Sequence, residues 1–213
     1  MNYSIPRFIL CISCLLITFF SQAQNKPVGL GIAKPEMKPG AKLYLYTGQL
    51  IDDLLHHAAT KDSIVILQGE HSFEIGTAPA WFSPEHLKMD YEILQLRVVS
   101  VSRNWLEVIV NTKTGRTAWV DKNVVEFLYW PDFFLTVFSV EVMNAAKNPA
   151  RIKPLDNAAV VLNPGRSSLH PIAIQGEWMK VSTVQENPDA VPKLGWIRWK
   201  KGNQMLITWS LLS

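Results

Sequence analysis

The sequence predicts an all-β protein made of two small barrels in tandem with short helical insertions. Three observations point there. Trp178-Met179-Lys180-Val181 is followed by Gly195-Trp196-Ile197, and the same arrangement stands upstream as Trp105-Leu106-Glu107-Val108 and Ala118-Trp119-Val120. A strand–turn–strand unit with one tryptophan in each strand therefore occurs twice. Around these markers apolar and polar residues mostly alternate, the period of a half-buried strand. Glycine, proline and asparagine clusters interrupt the alternation often, as in a fold of many short strands.

The N-terminus comes first. Residues 1–23 read as a secretory signal. Arg7 supplies the positive start, residues 8–20 are apolar except for Ser13 and Thr18, and Ser21-Gln22-Ala23 offers the small residues of a cleavage site. The run falls short of the ~20 apolar residues that cross a bilayer. The protein is thus expected to be exported, periplasmic or secreted, with no transmembrane anchor after cleavage. Both cysteines, Cys11 and Cys14, lie in this segment. The mature chain then has no thiol for a disulfide framework, a cysteine–zinc site or a cysteine nucleophile. Residues 24–40, with Pro27, Pro35, Pro39 and three glycines, read as an extended leader.

The first unit spans residues 41–130. Lys42–Tyr46 and residues 63–68 are strands, the second closed by a Gly69-Glu70 turn. Leu94, Leu96 and Val98 alternate, and the phase then slips to Val99 and Val101. A slip of one residue marks a β-bulge or sharp bend, as a small barrel needs at its corners. Residues 111–115 form a hairpin turn ending in Gly115. Two helical insertions are expected here. One covers residues 48–59. The other opens on Ser83-Pro84-Glu85 (cap, proline at the first position, acid in the first turn) and runs to about Tyr91. Residues 131–147 connect the units as a helix or strand. The second unit, residues 148–213, has a longer hairpin carrying the polar insertion 186–192.

The second unit resembles a bacterial SH3 domain. The resemblance rests on Arg151-x-x-Pro154, then Gly176-x-Trp178-x-Lys180-Val181, then Gly195-Trp196-Ile197, in that order. The first unit resembles a divergent, enlarged member. It keeps Trp105 to Val108 and Trp119-Val120, has Ala118 where the pattern has glycine, and carries an insertion at residues 78–84. The resemblance implies two SH3-like barrels that bind rather than catalyse. In eukaryotic SH3 domains the tryptophan at the position resembling Trp178 lines a peptide groove. Bacterial SH3 domains often accompany a cysteine peptidase of cell-wall peptides, a chemistry closed to a mature chain without cysteine.

Strand alternation assigns the faces independently. Leu106 and Val108 share one face, Trp105 and Glu107 the other; Met179 and Val181 share one, Trp178 and Lys180 the other. On the returning strands Trp119 sides with Asp121 and Trp196 with Arg198. An unpaired charge does not sit in a small core. Trp105, Trp119, Trp178 and Trp196 are therefore expected on outer faces, each hairpin bringing its two tryptophans together. Trp199 should point inward with Ile197, and Met205, Ile207 and Trp209 should share a core face. The four outer tryptophans, with Lys180 and Arg198, are the candidate ligand site. The competing arrangement buries them under loops or between the barrels.

Other chemistry is sparse. His56-His57 are neighbours and face different ways, His71 and His170 are isolated beside turns, and His86 and Asp90 stand four apart on the second expected helix. There is no His-Glu-x-x-His or Gly-x-Ser-x-Gly motif, and Gly29-Leu30-Gly31 lacks the third glycine of a dinucleotide loop. No catalytic residue, metal ligand or cofactor is predicted. A net charge of +3 over 213 residues is not the footprint of a nucleic-acid binder. The expected function is a non-catalytic binding or scaffolding module of the cell envelope, with peptidoglycan or an envelope protein as partner. Two alternatives remain: an envelope hydrolase with its site between Trp81 and Asp90, and a structural subunit with no ligand site.

Overall fold

The computed structural model describes residues 27–47, 61–165, 167–184 and 191–212. The signal at 1–23, the helix expected at 48–59 and residues 186–190 of the polar insertion lie outside them. The protein is mostly β, with two curled half-barrel sheets. Among the described residues no helix is long and apolar enough to cross a membrane.

The first sheet has nine antiparallel strands: β1 (Gly31–Pro35), β2 (Lys42–Tyr46), β3 (Lys61–Gln68), β4 (Phe73–Thr77), β5 (His86–Lys88), β6 (Ile93–Val101), β7 (Trp105–Asn111), β8 (Arg116–Asp121) and β9 (Val125–Tyr129). They run in the order β4-β3-β2-β8-β7-β6-β1-β9, with β5 beside β6. A helical turn, α1 (Trp130–Phe134), leads out of β9. The second sheet contains β10 (Ser139–Val142), β11 (Ala150–Arg151), β12 (Val160–Leu162), β13 (Leu169–Gln175), β14 (Trp178–Thr183), β15 (Leu194–Arg198) and, after the ribbon β16 (Lys200–Lys201) and β17 (Gln204–Met205), β18 (Ile207–Ser210). Its order is β12-β11-β15-β14-β13-β10-β18.

Alternation fills the two cores. Leu43, Leu45, Ile64, Leu96, Val98, Leu106, Val108, Val110, Ala118 and Val120 close the first. Met179, Val181, Ile197, Trp199 and Ile207 belong to the second, and Met205 and Trp209 pack against it. The phase slip in β6 is a bulge: its register with β7 shifts between Val98 and Ser100. The turn at 111–115 also forms, with Asn111 Oδ1 accepting from Lys113 N and Thr114 N, both at 2.9 Å. Gly115 closes the turn with φ 74°, a conformation that favours glycine.

The strand β1 lies within the segment read as a leader. It runs between β6 and β9 and shares its two faces between the cores: Ala33 enters the first, Ile32 the second. The back of β6 is covered too, so Gln95 and Arg97 are buried although Leu96 already fills the front. Val28 and Ile32 from the first sheet's side pack with Trp130, Phe133 and Phe134 and with the second sheet's Val140, Leu169 and Met179. The two sheets thus share one apolar cluster.

The helix expected from Ser83 to Tyr91 is corrected. Ser83 bridges to Asn111, His86–Lys88 forms β5 against β6, and only Met89–Tyr91 turns, as a single 3-10 turn ended by Glu92 at φ 57°. A segment this short does not overcome the cost of helix nucleation. The adjacent edge of β6 offers it a ladder of backbone hydrogen bonds instead.

Candidate functional site

The two tryptophan hairpins have the same register. Trp105 pairs with Asp121 and Trp119 with Glu107 in β7–β8; Trp178 pairs with Arg198 and Trp196 with Lys180 in β14–β15. Each tryptophan therefore faces a charged residue, and the two tryptophans of a hairpin are diagonal neighbours on one face. Val108 opposite Ala118 matches Val181 opposite Gly195 in the same way. The glycine has a local reason: a Cβ at Gly195 would lie 2.8 Å from the Ala150 Cβ on β11. Ala118, at the matching place in the first hairpin, is buried in the first core. What differs between the copies is charge. Both carboxylates of the first hairpin are replaced by cations in the second.

The four tryptophans fare differently. Trp178 is buried, 8% exposed. The Arg198 guanidinium covers its ring at 4.3 Å. That guanidinium is held by Asp156 (Nε–Oδ1 2.9 Å, Nη2–Oδ2 2.7 Å) and by Glu177 (Nη1–Oε2 2.8 Å). Asn148 fastens the Arg198 backbone at both N and O. The position that resembles a groove tryptophan is thus closed by a cation sandwiched between ring and carboxylates. Trp196 is half-buried on the same face, with Lys180 across from it on one side and Arg151 on the other.

Trp105 and Trp119 are half-buried. They belong to a larger aromatic patch, because β2 pairs with β8 and sets Tyr46 opposite Trp119. Tyr46 meets Trp105 edge-on at 5.2 Å and lies 6.3 Å from Tyr44. Glu107, which accepts from Thr117 Oγ1 at 2.8 Å, stands in the same row. The patch is aromatic with carboxylates, whereas the Trp196 face is aromatic with cations. Tyr44, Tyr46 and Arg151 were not among the sequence candidates. Alternation in Lys42–Tyr46 places both tyrosines opposite Leu43 and Leu45, but only the β2–β8 pairing brings them to the tryptophans.

The stretch from Trp81 to Asp90 is tied into the fold. Arg116 covers the Trp81 ring at 3.7 Å, Glu85 is ion-paired with Arg97, and His86 stacks on Trp209 at 5.3 Å. Among the described residues no group of three His, Cys, Asp or Glu side chains could hold a metal ion.

Arg198 holds the Asp156 carboxyl below the ordinary carboxylate value, chiefly through their side-chain hydrogen bond, and Asp156 raises Arg198 in return. The stability this link contributes is therefore present above the ordinary carboxylate pKa of about 3.9 and is lost as pH falls through the lowered value. Asp156 is exposed, so solvent screens the pair and the effect on global stability is small. The readout is local. Tryptophan emission should show a step below the ordinary carboxylate range, and Asp156→Asn should remove that step. An unchanged titration in Asp156→Asn would show that the carboxylate does not hold Arg198 over Trp178.

A comparison with protein-family models finds none that matches this chain, and a comparison with curated proteins finds no match either.

Proposed function

We propose that this is an exported, non-catalytic binding protein of the cell envelope, built on two SH3-like barrels, with peptidoglycan as its ligand. The observation that carries the reading is the aromatic patch of Tyr44, Tyr46, Trp105 and Trp119 beside Glu107 and Asp121. Flat aromatic faces give sugar rings apolar contact at low conformational cost, and neighbouring carboxylates accept from their hydroxyls. The second face complements it. Trp196 between Lys180 and Arg151 suits an apolar group that carries a carboxylate. Peptidoglycan joins both chemistries in one polymer, hydroxyl-bearing sugars and carboxylate-bearing peptide stems. The apolar N-terminal stretch supports export, and the ordered SH3-like motifs with their matching hairpin registers support tandem barrels.

Retention on purified peptidoglycan tests the reading. The double variant Trp105→Ala, Trp119→Ala should lose about tenfold or more in affinity, each stacked ring being worth roughly 1–3 kcal/mol. Trp178→Ala is not a ligand test, because that ring is buried under Arg198. Native protein that fails to bind, or a double variant that binds as well as native, would remove the peptidoglycan assignment.

A further inference from the structure

Buried polar atoms gather where the back of β6 meets the second sheet. Gln95 and Arg97 stand two apart in β6, so their side chains share one face. Both residues are buried, 3% and 4% exposed. Glu85 lies beside them. Its backbone N donates to Gln95 O at 3.1 Å, and its Oε1 accepts from Arg97 Nη2 at 2.7 Å. Trp209 of β18 reaches the same place from the other sheet. Its ring stacks on His86, which stands opposite Gln95 in the β5–β6 register. It also meets the Trp130 ring at 5.3 Å, and the Arg97 guanidinium lies 5.5 Å from that same ring.

Among the described residues, four buried atoms of this group have no hydrogen-bond partner: Glu85 Oε2, Gln95 Oε1, Arg97 Nε and Trp209 Nε1. Buried polar atoms are paired almost without exception, by protein or by ordered water. The arginine fork adds a geometric point. Nε and Nη2 point out of one edge of the guanidinium, so a single Nη2–Oε1 bond leaves Nε and Oε2 side by side. The set also selects the chemistry of its partner. Two of the atoms are acceptors and two are N–H donors. An anion would be repelled by the two acceptor oxygens, and a metal ion or ammonium by the two N–H groups. The Glu85–Arg97 pair cancels its own charge and so holds neither sign of ion. A water molecule donates two hydrogen bonds and accepts two, which matches the set atom for atom.

We propose that one internal water is bound here. It donates to Glu85 Oε2 and Gln95 Oε1 and accepts from Arg97 Nε and Trp209 Nε1. Glu85, Gln95 and Arg97 belong to the first sheet's side and Trp209 to the second, so the water is a polar bridge between the sheets beside the apolar cluster they share. Ordering a water costs entropy, so the bridge offsets only part of the desolvation cost that these atoms carry. The site shares no residue with the aromatic patch and stands or falls independently of the peptidoglycan reading.

The test is magnetisation transfer from water to side-chain N–H protons in the ¹⁵N-labelled protein, recorded by NMR in the laboratory and rotating frames. Dipolar transfer from a long-lived water changes sign between the two frames, whereas proton exchange with solvent does not. Native protein should show the dipolar sign at both Arg97 Hε and Trp209 Hε1. The double variant Glu85→Leu, Arg97→Met, with native spectral dispersion as its fold control, removes one donor and one acceptor. It should lose the dipolar signal at Trp209 Hε1. The absence of a dipolar signal at Arg97 Hε in native protein would show that the carboxylate pairs with Nε directly. A signal at Trp209 Hε1 alone would show solvent beside the indole and no bridge. A Trp209 signal undiminished in the folded double variant would show that the water is held elsewhere. Each of these three results would overturn the proposal.

Discussion

Trp130→Ala should destabilise the protein by about 3–5 kcal/mol, the range for removing a large buried aromatic ring. Trp130 is 2% exposed. It stacks on Phe134 at 5.1 Å and meets Phe133 and Trp209 edge-on, while its Nε1 donates to Val28 O at 2.8 Å. Arg97 lies over its other side, 5.5 Å from the ring. The ring therefore joins β1's neighbourhood, the back of β6 and β18. Native protein should melt in urea as one transition reported equally by far-UV circular dichroism and tryptophan emission, because the cluster around Trp130 draws residues from both sheets. Trp130→Phe keeps most of the ring and loses the indole hydrogen bond, so it should cost only about 1–2 kcal/mol. Two separated transitions in native protein, or a loss below 2 kcal/mol in Trp130→Ala, would contradict a shared core.

Arg97→Met should be nearly as damaging, about 3–5 kcal/mol, because it strands a buried carboxylate. The Arg97 and Glu85 side chains are 5% and 9% exposed and meet at 2.7 Å. Arg97 Nη1 also donates to Pro27 O at 2.9 Å. The pair is nonetheless imperfectly satisfied. Glu85 Oε2 and Arg97 Nε, together with Gln95 Oε1 and Trp209 Nε1, have no hydrogen-bond partner among the described residues. Buried polar atoms without partners carry a desolvation cost that apolar replacements avoid. The double change Glu85→Leu, Arg97→Met should therefore restore stability to within about 1–2 kcal/mol of native, or exceed it. A double-mutant cycle in urea reads this directly. If the double variant is as unstable as the two single losses added together, the ion pair is not what the single changes disturb.

Much of this fold was legible residue by residue. Lys42–Tyr46 is a strand with the predicted bounds, Leu106 and Val108 are fully buried, and the slip from Val98 to Val99 is a bulge. These features depend only on neighbours along the chain: side chains alternate across a strand, and an extra residue breaks the alternation. The second expected helix failed for the complementary reason. Ser83-Pro84-Glu85 is a sound helix start, but His86–Lys88 found the first residues of β6 to pair with, and pairing partners are not written in local sequence. Arg97 shows the same limit. It stands between Leu96 and Val98 in β6, and it is buried where Trp130 of α1 lies across the back of that strand.

The candidate site divides along that line. The repeated tryptophans and their alternation with leucine, methionine and valine determined by themselves two matching hairpins, the residues that fill their cores and the presence of charge beside every tryptophan. Only the tertiary structure decided which tryptophans stay available. Trp178 is sealed by Arg198 because Asp156, far away in the chain, reaches it from a loop. Trp105 and Trp119 gain Tyr46 because β2 closes against β8. Facing is a property of a strand's own period. Coverage depends on which distant segments pack over that face, and those contacts form through chain closure that local pattern does not encode.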